Sequence, residues 1–218
     1  MKHAAGMLAG LVFSVLACVG EARGQFQLIS SPPGALSEWV FGMSADGGTL
    51  VGNGVGGTFF WTPQSGFEHF APNSSSQYGI WGYGISGDGT TAVGGAGYSG
   101  QTVEDAFRFR RGGTLEILGR LPGYERGAGR GASFDGEIVV GRSTAGQGDP
   151  FGQAFRWTST TGMVGLGYLA PGQAYSEATA ISRDGSTIVG YVRQTTAFNQ
   201  AFVWRDGTGM VGLPGWTP

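Results

Sequence analysis

Histidine is where hydrolytic chemistry would have to start, and beyond residue 24 the chain has only His69. A Ser-His-Asp site needs an imidazole to take the serine proton. No Gly-x-Ser-x-Gly elbow supplies that serine. His69 therefore reads as a structural or surface residue. Carboxylates are the other route, and a glycosidase needs two of them about 5–9 Å apart. Asp46, Asp88, Asp135 and Asp184 recur in one turn motif and are assigned to it below. The acids that remain beyond residue 24 are Glu38, Glu68, Glu104, Asp105, Glu116, Glu125, Glu137, Asp149, Glu177 and Asp206. None of these recurs at equivalent strand positions. A secreted propeller-type polysaccharide hydrolase is thus an alternative with no residue pair to carry it, and no catalytic residue is assigned.

Metal and nucleotide chemistry have less support. Cys18 is the single cysteine, so a thiolate metal site is excluded. A calcium loop gathers several oxygen donors at close spacing, whereas each recurrent turn offers one carboxylate and one serine. Gly52-Asn53-Gly54-Val55-Gly56-Gly57 matches Gly-x-Gly-x-x-Gly. A phosphate site of that type needs a helix N-terminus after a strand, and the segment reads as a loop between strands. No metal and no cofactor are expected. Binding has a better candidate in Tyr78, Trp81 and Tyr83, set among glycine and polar residues. Aromatic faces beside hydrogen-bonding groups suit a sugar ring or a protein partner. Packing of Trp81 and Tyr83 within a strand is the competing reading, because Phe41 occupies the position equivalent to Tyr83.

The elements that must position these residues come from a repeat. Ser-x-Asp-Gly occurs as Ser44-Ala45-Asp46-Gly47, Ser86-Gly87-Asp88-Gly89, Ser133-Phe134-Asp135-Gly136 and Ser182-Arg183-Asp184-Gly185. Its aspartates are 42, 47 and 49 residues apart. Val51-Gly52, Val93-Gly94, Val140-Gly141 and Val189-Gly190 follow at a constant offset. Then come Thr58-Phe59-Phe60-Trp61, Ala106-Phe107-Arg108-Phe109, Ala154-Phe155-Arg156-Trp157 and Ala201-Phe202-Val203-Trp204. Apolar runs close three copies at Leu115–Leu118, Met163–Leu166 and Met210–Leu213, and the first copy is degenerate around Phe67 to Phe70.

Each copy reads as four short strands, a to d, and the chain as all-β. Serine and aspartate in the turn cap backbone amides, and the glycine takes a positive φ. Paired apolar residues in strand b, such as Val139-Val140, predict burial on both faces. Strand c, with alternating aromatics, predicts half-burial. Gly42, Gly84, Gly131 and Ala180 stand four residues before each aspartate, as a strand crowded near a central axis requires. The expected architecture is about four four-stranded units, a small or incomplete β-propeller. The units span about 35–75, 76–122, 123–171 and 172–218, with an extra strand at 26–30. Glycine, 44 of 218 residues, is accounted for by this many turns rather than by disorder, since 40% of the chain is apolar.

These columns resemble the HAF-family extracellular repeat of exported bacterial proteins. That pattern runs through Ile-Ser-x-Asp-Gly, Val-Val-Gly, His-Ala-Phe-x-Trp and Gly-Met-x-x-Leu-Gly, and residues 181–213 match it best. The eponymous histidine is Asp105, Gln153 and Gln200 here. The resemblance implies export and a propeller-like fold, and it implies no enzyme activity.

The N-terminus agrees with export. Lys2 precedes an uncharged run at 4–20, and Ala22-Arg23-Gly24 offers small residues for cleavage, with Gly20-Glu21-Ala22 as a second possibility. Residues 1–24 read as a signal peptide and 25–218 as the repeat domain. Val15-Leu16-Ala17-Cys18 also resembles a lipobox, in which Cys18 would be lipidated and attach the chain to a membrane. An uncleaved anchor is a third outcome, though the run is short for a span. A net charge of -2 argues against nucleic-acid binding. The arginines Arg108, Arg110, Arg111, Arg120, Arg126 and Arg130 alternate with acids and read as a mixed solvated face. The expected function is a secreted, non-enzymatic module that binds an extracellular glycan or protein, or serves as an envelope scaffold. A truncated piece of a longer repeat protein is a further alternative.

Overall fold

The computed structural model describes residues 29, 38–55, 57–70, 78–98, 103–146, 150–193 and 199–214. The leader expected at 1–24, with Cys18 in it, the strand expected at 26–30 (Ile29 apart) and the Tyr78 side chain lie outside the described residues. The described residues form strands and turns, with no helix. The first set is β1 (Glu38–Met43), β2 (Leu50–Gly54), β3 (Gly57–Thr62) and β4 (Gly66–Phe70). The second is β5 (Tyr78–Ile85), β6 (Thr91–Tyr98), β7 (Glu104–Arg110) and β8 (Leu115–Gly119). The third is β9 (Arg126–Ala132), β10 (Ile138–Thr144), β11 (Gly152–Thr158) and β12 (Gly162–Gly167). The fourth is β13 (Ser176–Ile181), β14 (Thr187–Arg193), β15 (Asn199–Arg205) and β16 (Gly209–Gly212). Within each set the strands pair antiparallel in chain order.

The recurrent turn explains the first hairpin of every set. The serine hydroxyl donates to its aspartate Oδ1 at 2.6, 2.5, 2.6 and 2.6 Å. That oxygen accepts the amides of Gly48, Thr90, Glu137 and Ser186 at 2.9, 3.0, 3.1 and 3.1 Å. The serine oxygen in turn accepts the amides of Thr49, Thr91, Ile138 and Thr187 at 2.9, 2.9, 3.0 and 3.0 Å. Gly47, Gly89, Gly136 and Gly185 take φ of 73, 75, 71 and 74°, where an L side chain is strained. The turns also join one another. Ala45 N donates to Gly87 O at 2.8 Å, Asp88 N to Phe134 O at 2.9 Å, and Phe134 N to Arg183 O at 3.2 Å.

The glycine of Val-Gly has a separate cause. The first strand of each set carries a one-residue bulge against the second, at Phe41, Tyr83, Arg130 and Thr179. Beside the bulge, the first strand's carbonyl closes on the second strand. A Cβ at Gly52, Gly94, Gly141 or Gly190 would stand 2.2, 1.9, 2.0 or 1.9 Å from the oxygen of Trp39, Trp81, Ala128 or Glu177.

Sheets pack face to face, so the core lies between consecutive sets. One cluster holds Val51, Phe60 and Phe70 with Ile80 and Phe107. A second joins Val93 and Leu121 to Val139, Phe155 and Trp157. A third joins Val140 and Leu166 to Ile188, Val192 and Phe202. The phenylalanine column Phe59, Phe107, Phe155 and Phe202 is 0–1% exposed. Each such ring contributes about 1.5–3 kcal/mol by leaving water. Val51, Val93 and Val140 are 0% exposed, while Val189 in the last set is 38% exposed. The first strands pack in series, β1 on β5, β5 on β9 and β9 on β13. Among the described residues no comparable packing joins β13 to β1.

Two details depart from the expectations above. Strand c of the first set is buried on both sides rather than half-buried, because Phe59 and Phe60 each face a packed layer. Gly52, Asn53 and Gly54 belong to β2, not to a loop, and Asn53 is buried.

Candidate functional site

The bulged positions and their neighbours on the first strands bring the candidate residues together. Phe41, Tyr83 and Arg130 are consecutive members of the bulge column. The Phe41 and Tyr83 rings meet edge to face at 5.9 Å. The Arg130 guanidinium lies 4.6 Å from the Tyr83 ring centroid, within cation–π range. Two residues before each bulge stand Trp39, Trp81, Ala128 and Glu177.

Trp81 is built to show one face. It pairs with Gly95 across β6, and Gly79 pairs with Gly97. A Cβ at Gly79 would stand 2.8 Å from the indole, and one at Gly97 3.1 Å. The ring therefore rests on bare backbone at these glycines, and the residue stays 44% exposed. Trp39 and Phe41, on the first strand of the preceding set, are 60% and 51% exposed. Tyr83 is half-buried, and burial raises its hydroxyl pKa, with Glu104 adding to the rise. Of the two candidates whose side chains are described, Trp81 is thus the accessible aromatic surface, and Tyr83 is the packed member between Phe41 and Arg130. The backbone of Tyr78 opens β5.

Next to these aromatics is a polar centre that recurrence could not flag. Glu177 is buried and accepts Arg130 Nε at 2.9 Å on Oε1. Its Oε2 accepts Arg142 Nη1 at 2.7 Å, Tyr175 Oη at 2.7 Å and Tyr191 Oη at 2.8 Å. Arg142 Nη1 also donates to Tyr175 Oη at 2.5 Å. Arg193 covers the Tyr175 ring at 4.3 Å. Burial alone would push the Glu177 pKa up, but Arg142, Arg130 and the two tyrosine hydroxyls together hold it below the usual glutamate value. Glu177 is thus an ionised acceptor, not a protonated acid.

The same end of the sheets carries two more junctions between sets. Glu104 pairs in parallel register with Arg126, which joins the second and third sets into one eight-stranded sheet. Gly152 and Tyr175 form the equivalent bridge one set later. Glu104 forms an ion pair with Arg126, and Arg120 Nη1 donates to Asp105 Oδ1 at 2.6 Å. Between the first two sets, Asn53 uses its amide twice on Gly82, at 2.9 and 2.8 Å.

The arginine-rich stretch is a mixed solvated face only in part, at the half-exposed pair Arg110 and Glu137. Arg126 and Arg130 sit on β9 facing acids of other strands, and Arg108 is 15% exposed between Glu116 and Glu137. Arg111 pairs with Glu68 and Arg110 with Glu137. His69 is exposed on β4 and stacks on Phe67 at 6.3 Å. The four turn aspartates bond within their turns, and no cluster of three or more metal-ligating side chains occurs among the described residues.

No protein-family model matches the chain, and no curated protein matches it in sequence. Solved structures match in fold. A structure from Agrobacterium tumefaciens described as TolB is 19% identical with a TM-score of 0.55, over 83% of this chain and 62% of that one. TolB from Acinetobacter baumannii is 14% identical with a TM-score of 0.53, over 81% and 43%. A prolyl endopeptidase is 11% identical with a TM-score of 0.55, over 78% and 28%. This chain thus spans less than two thirds of each of these proteins. At these identities the likeness is one of fold, which is all-β and shared with TolB-like proteins.

Proposed function

We propose that this chain is an exported propeller-type module of the HAF-like repeat kind that binds an extracellular glycan without catalysing a reaction on it. The observation that carries this is the Trp81 indole, laid on Gly79 and Gly97 and 44% exposed. An aromatic face held flat by its own strand loses little conformational entropy on meeting a sugar ring. Two residues on, Tyr83 packs between Phe41 and Arg130 and fixes the strand that carries the indole. The repeat provides what such a site needs, a surface on strands rather than on loops. Export through the 1–24 leader, or attachment through a lipidated Cys18, would place that surface outside the cell.

Depletion of the purified chain by insoluble polysaccharides tests the reading. Retention of the wild-type chain, and its loss on Trp81→Ala with the fold intact by circular dichroism, is the expected result. A folded chain that no polysaccharide retains would remove the glycan from the proposal and leave a protein partner.

A further inference from the structure

The repeat also identifies a position where a partner is missing. In the second set, Arg108 on β7 lies in the groove between the second and third sets. Its Nε donates to Glu116 Oε2 at 2.6 Å, and its Nη1 to Glu137 Oε2 at 3.2 Å and Gly136 O at 3.3 Å. Its guanidinium is 4.6 Å from the Trp157 ring centroid. Two carboxylates and an aromatic face thus account for this cation.

Arg156 on β11 holds the same place one set later. Arg108 pairs with Glu116 on β8, and Arg156 pairs with Val164 on β12. Glu137 follows Asp135 by two residues, and Ser186 follows Asp184 by two. Trp204 stands where Trp157 did. Both acids are therefore replaced by uncharged side chains, and the Ser186 hydroxyl is turned to Asp184. Arg156 Nε is buried and has no hydrogen-bond partner among the described residues. A buried donor without an acceptor costs on the order of 1–3 kcal/mol.

A cavity of about 340 Å³ opens beside it, lined by Arg156, Asp184, Ser186, Trp204, Arg205 and Asp206 among others. Such a volume is at the small end of ligand pockets. The Asp184 carboxylate is committed to its turn, through Ser182 and Ser186. Arg205 Nε donates to Thr187 Oγ1 at 3.2 Å. Asp206 lies in the exposed turn after β15.

We propose that this cavity takes the carboxylate of a uronic acid residue, with Arg156 as the carboxylate anchor and Trp204 beside the sugar ring. The chain's own Arg108 junction specifies a carboxylate, since that is what the repeat places on this guanidinium. The aromatic at the same wall favours a sugar as its carrier. The inference rests on the reading of the chain as an extracellular glycan-binding module, and it adds a second, acidic subsite apart from Trp81.

Calorimetric titration of the full chain with glucuronate, glucose and N-acetylglutamate tests it. The expected result is binding of glucuronate alone, weakened about tenfold or more by Arg156→Gln. Val164→Glu, which restores one of the two acids of the Arg108 junction, should abolish glucuronate binding and raise the melting temperature of the free chain. Trp81→Ala should leave glucuronate binding unchanged, so failure of this subsite and failure of the Trp81 surface are read separately. Absence of glucuronate binding by a folded chain, or binding indifferent to both Arg156→Gln and Val164→Glu, would overturn the proposal. Equal binding of N-acetylglutamate would overturn the sugar assignment in favour of an acidic peptide.

Discussion

The Arg130 guanidinium stacks 4.6 Å from the centre of the Tyr83 ring. The two residues occupy the same bulged position in consecutive sets, so the contact is one column of the repeat meeting itself. On its far side Arg130 reaches Glu177 of the next set at 2.9 Å. Three sets are tied through one cation, and Glu177 is the acceptor that the tie depends on.

Glu177→Ala should therefore destabilise the fold strongly. It leaves Arg130 and Arg142 without their shared acceptor and strands two tyrosine hydroxyls. The expected loss is about 3 kcal/mol, read from urea denaturation. Glu177→Gln keeps an acceptor oxygen and should cost less than the alanine variant. Equal stability of wild type and Glu177→Ala would show that the cluster does not join the sets.

Glycine in the Val-Gly pair is required by distance, not by φ. Gly94→Ala puts a Cβ 1.9 Å from Trp81 O and 2.8 Å from the Phe107 ring. The bulge cannot persist with that contact, and a loss above ~3 kcal/mol is expected. Gly112→Ala is the control, with φ of 74° and no atom within 4 Å. It should cost only about 1 kcal/mol. Thermal denaturation of both variants separates the two causes, and similar melting points would contradict the close approach.

Acid should loosen the turns. In the folded chain the hydrogen bond from Ser182, followed by those from Ser186, holds Asp184 at about 2, against an ordinary value of 3.8. Asp46 and Asp135 are lowered by the same serine contact. For Asp88 burial opposes the shift, and the bonds from Ser86 and Thr90 outweigh it. A depressed folded pKa means that the unfolded chain binds the proton more readily. The stabilisation is complete above about 4 and is lost as pH falls toward about 2. Denaturation midpoints measured across that window should fall with pH, and Asp184→Asn should flatten part of the slope. A flat wild-type profile would contradict this account of the turns.

The turns were legible because everything they need is local. Serine, aspartate and glycine act on amides within five residues, so four copies of the motif state the geometry outright. The Val-Gly column was visible as a recurrence, but its cause was not, since the carbonyl that fills the space belongs to a bulge on another strand. Glu177 stands among the acids of the sequence with nothing to set it apart, for the opposite reason. Its counterparts are Trp39, Trp81 and Ala128, and a search for recurring acids passes over a residue that departs from its column. Its partners Arg130 and Arg142 lie 47 and 35 residues away in sequence. Charge alternation around Arg126 and Arg130 then reads as a solvated face, because pairing across sets leaves no local trace. Arg156 became informative only beside Arg108, once the register showed Val164 in the place of Glu116.

The proposed glycan site stands or falls with the indole of Trp81. Side-by-side glycan arrays of the wild-type chain and Trp81→Ala test it most directly. The expected result is a defined set of glycans bound by the wild-type chain and lost, by about tenfold or more in affinity, from a Trp81→Ala chain that keeps the wild-type circular dichroism. Glycan binding that survives Trp81→Ala at full strength would contradict it.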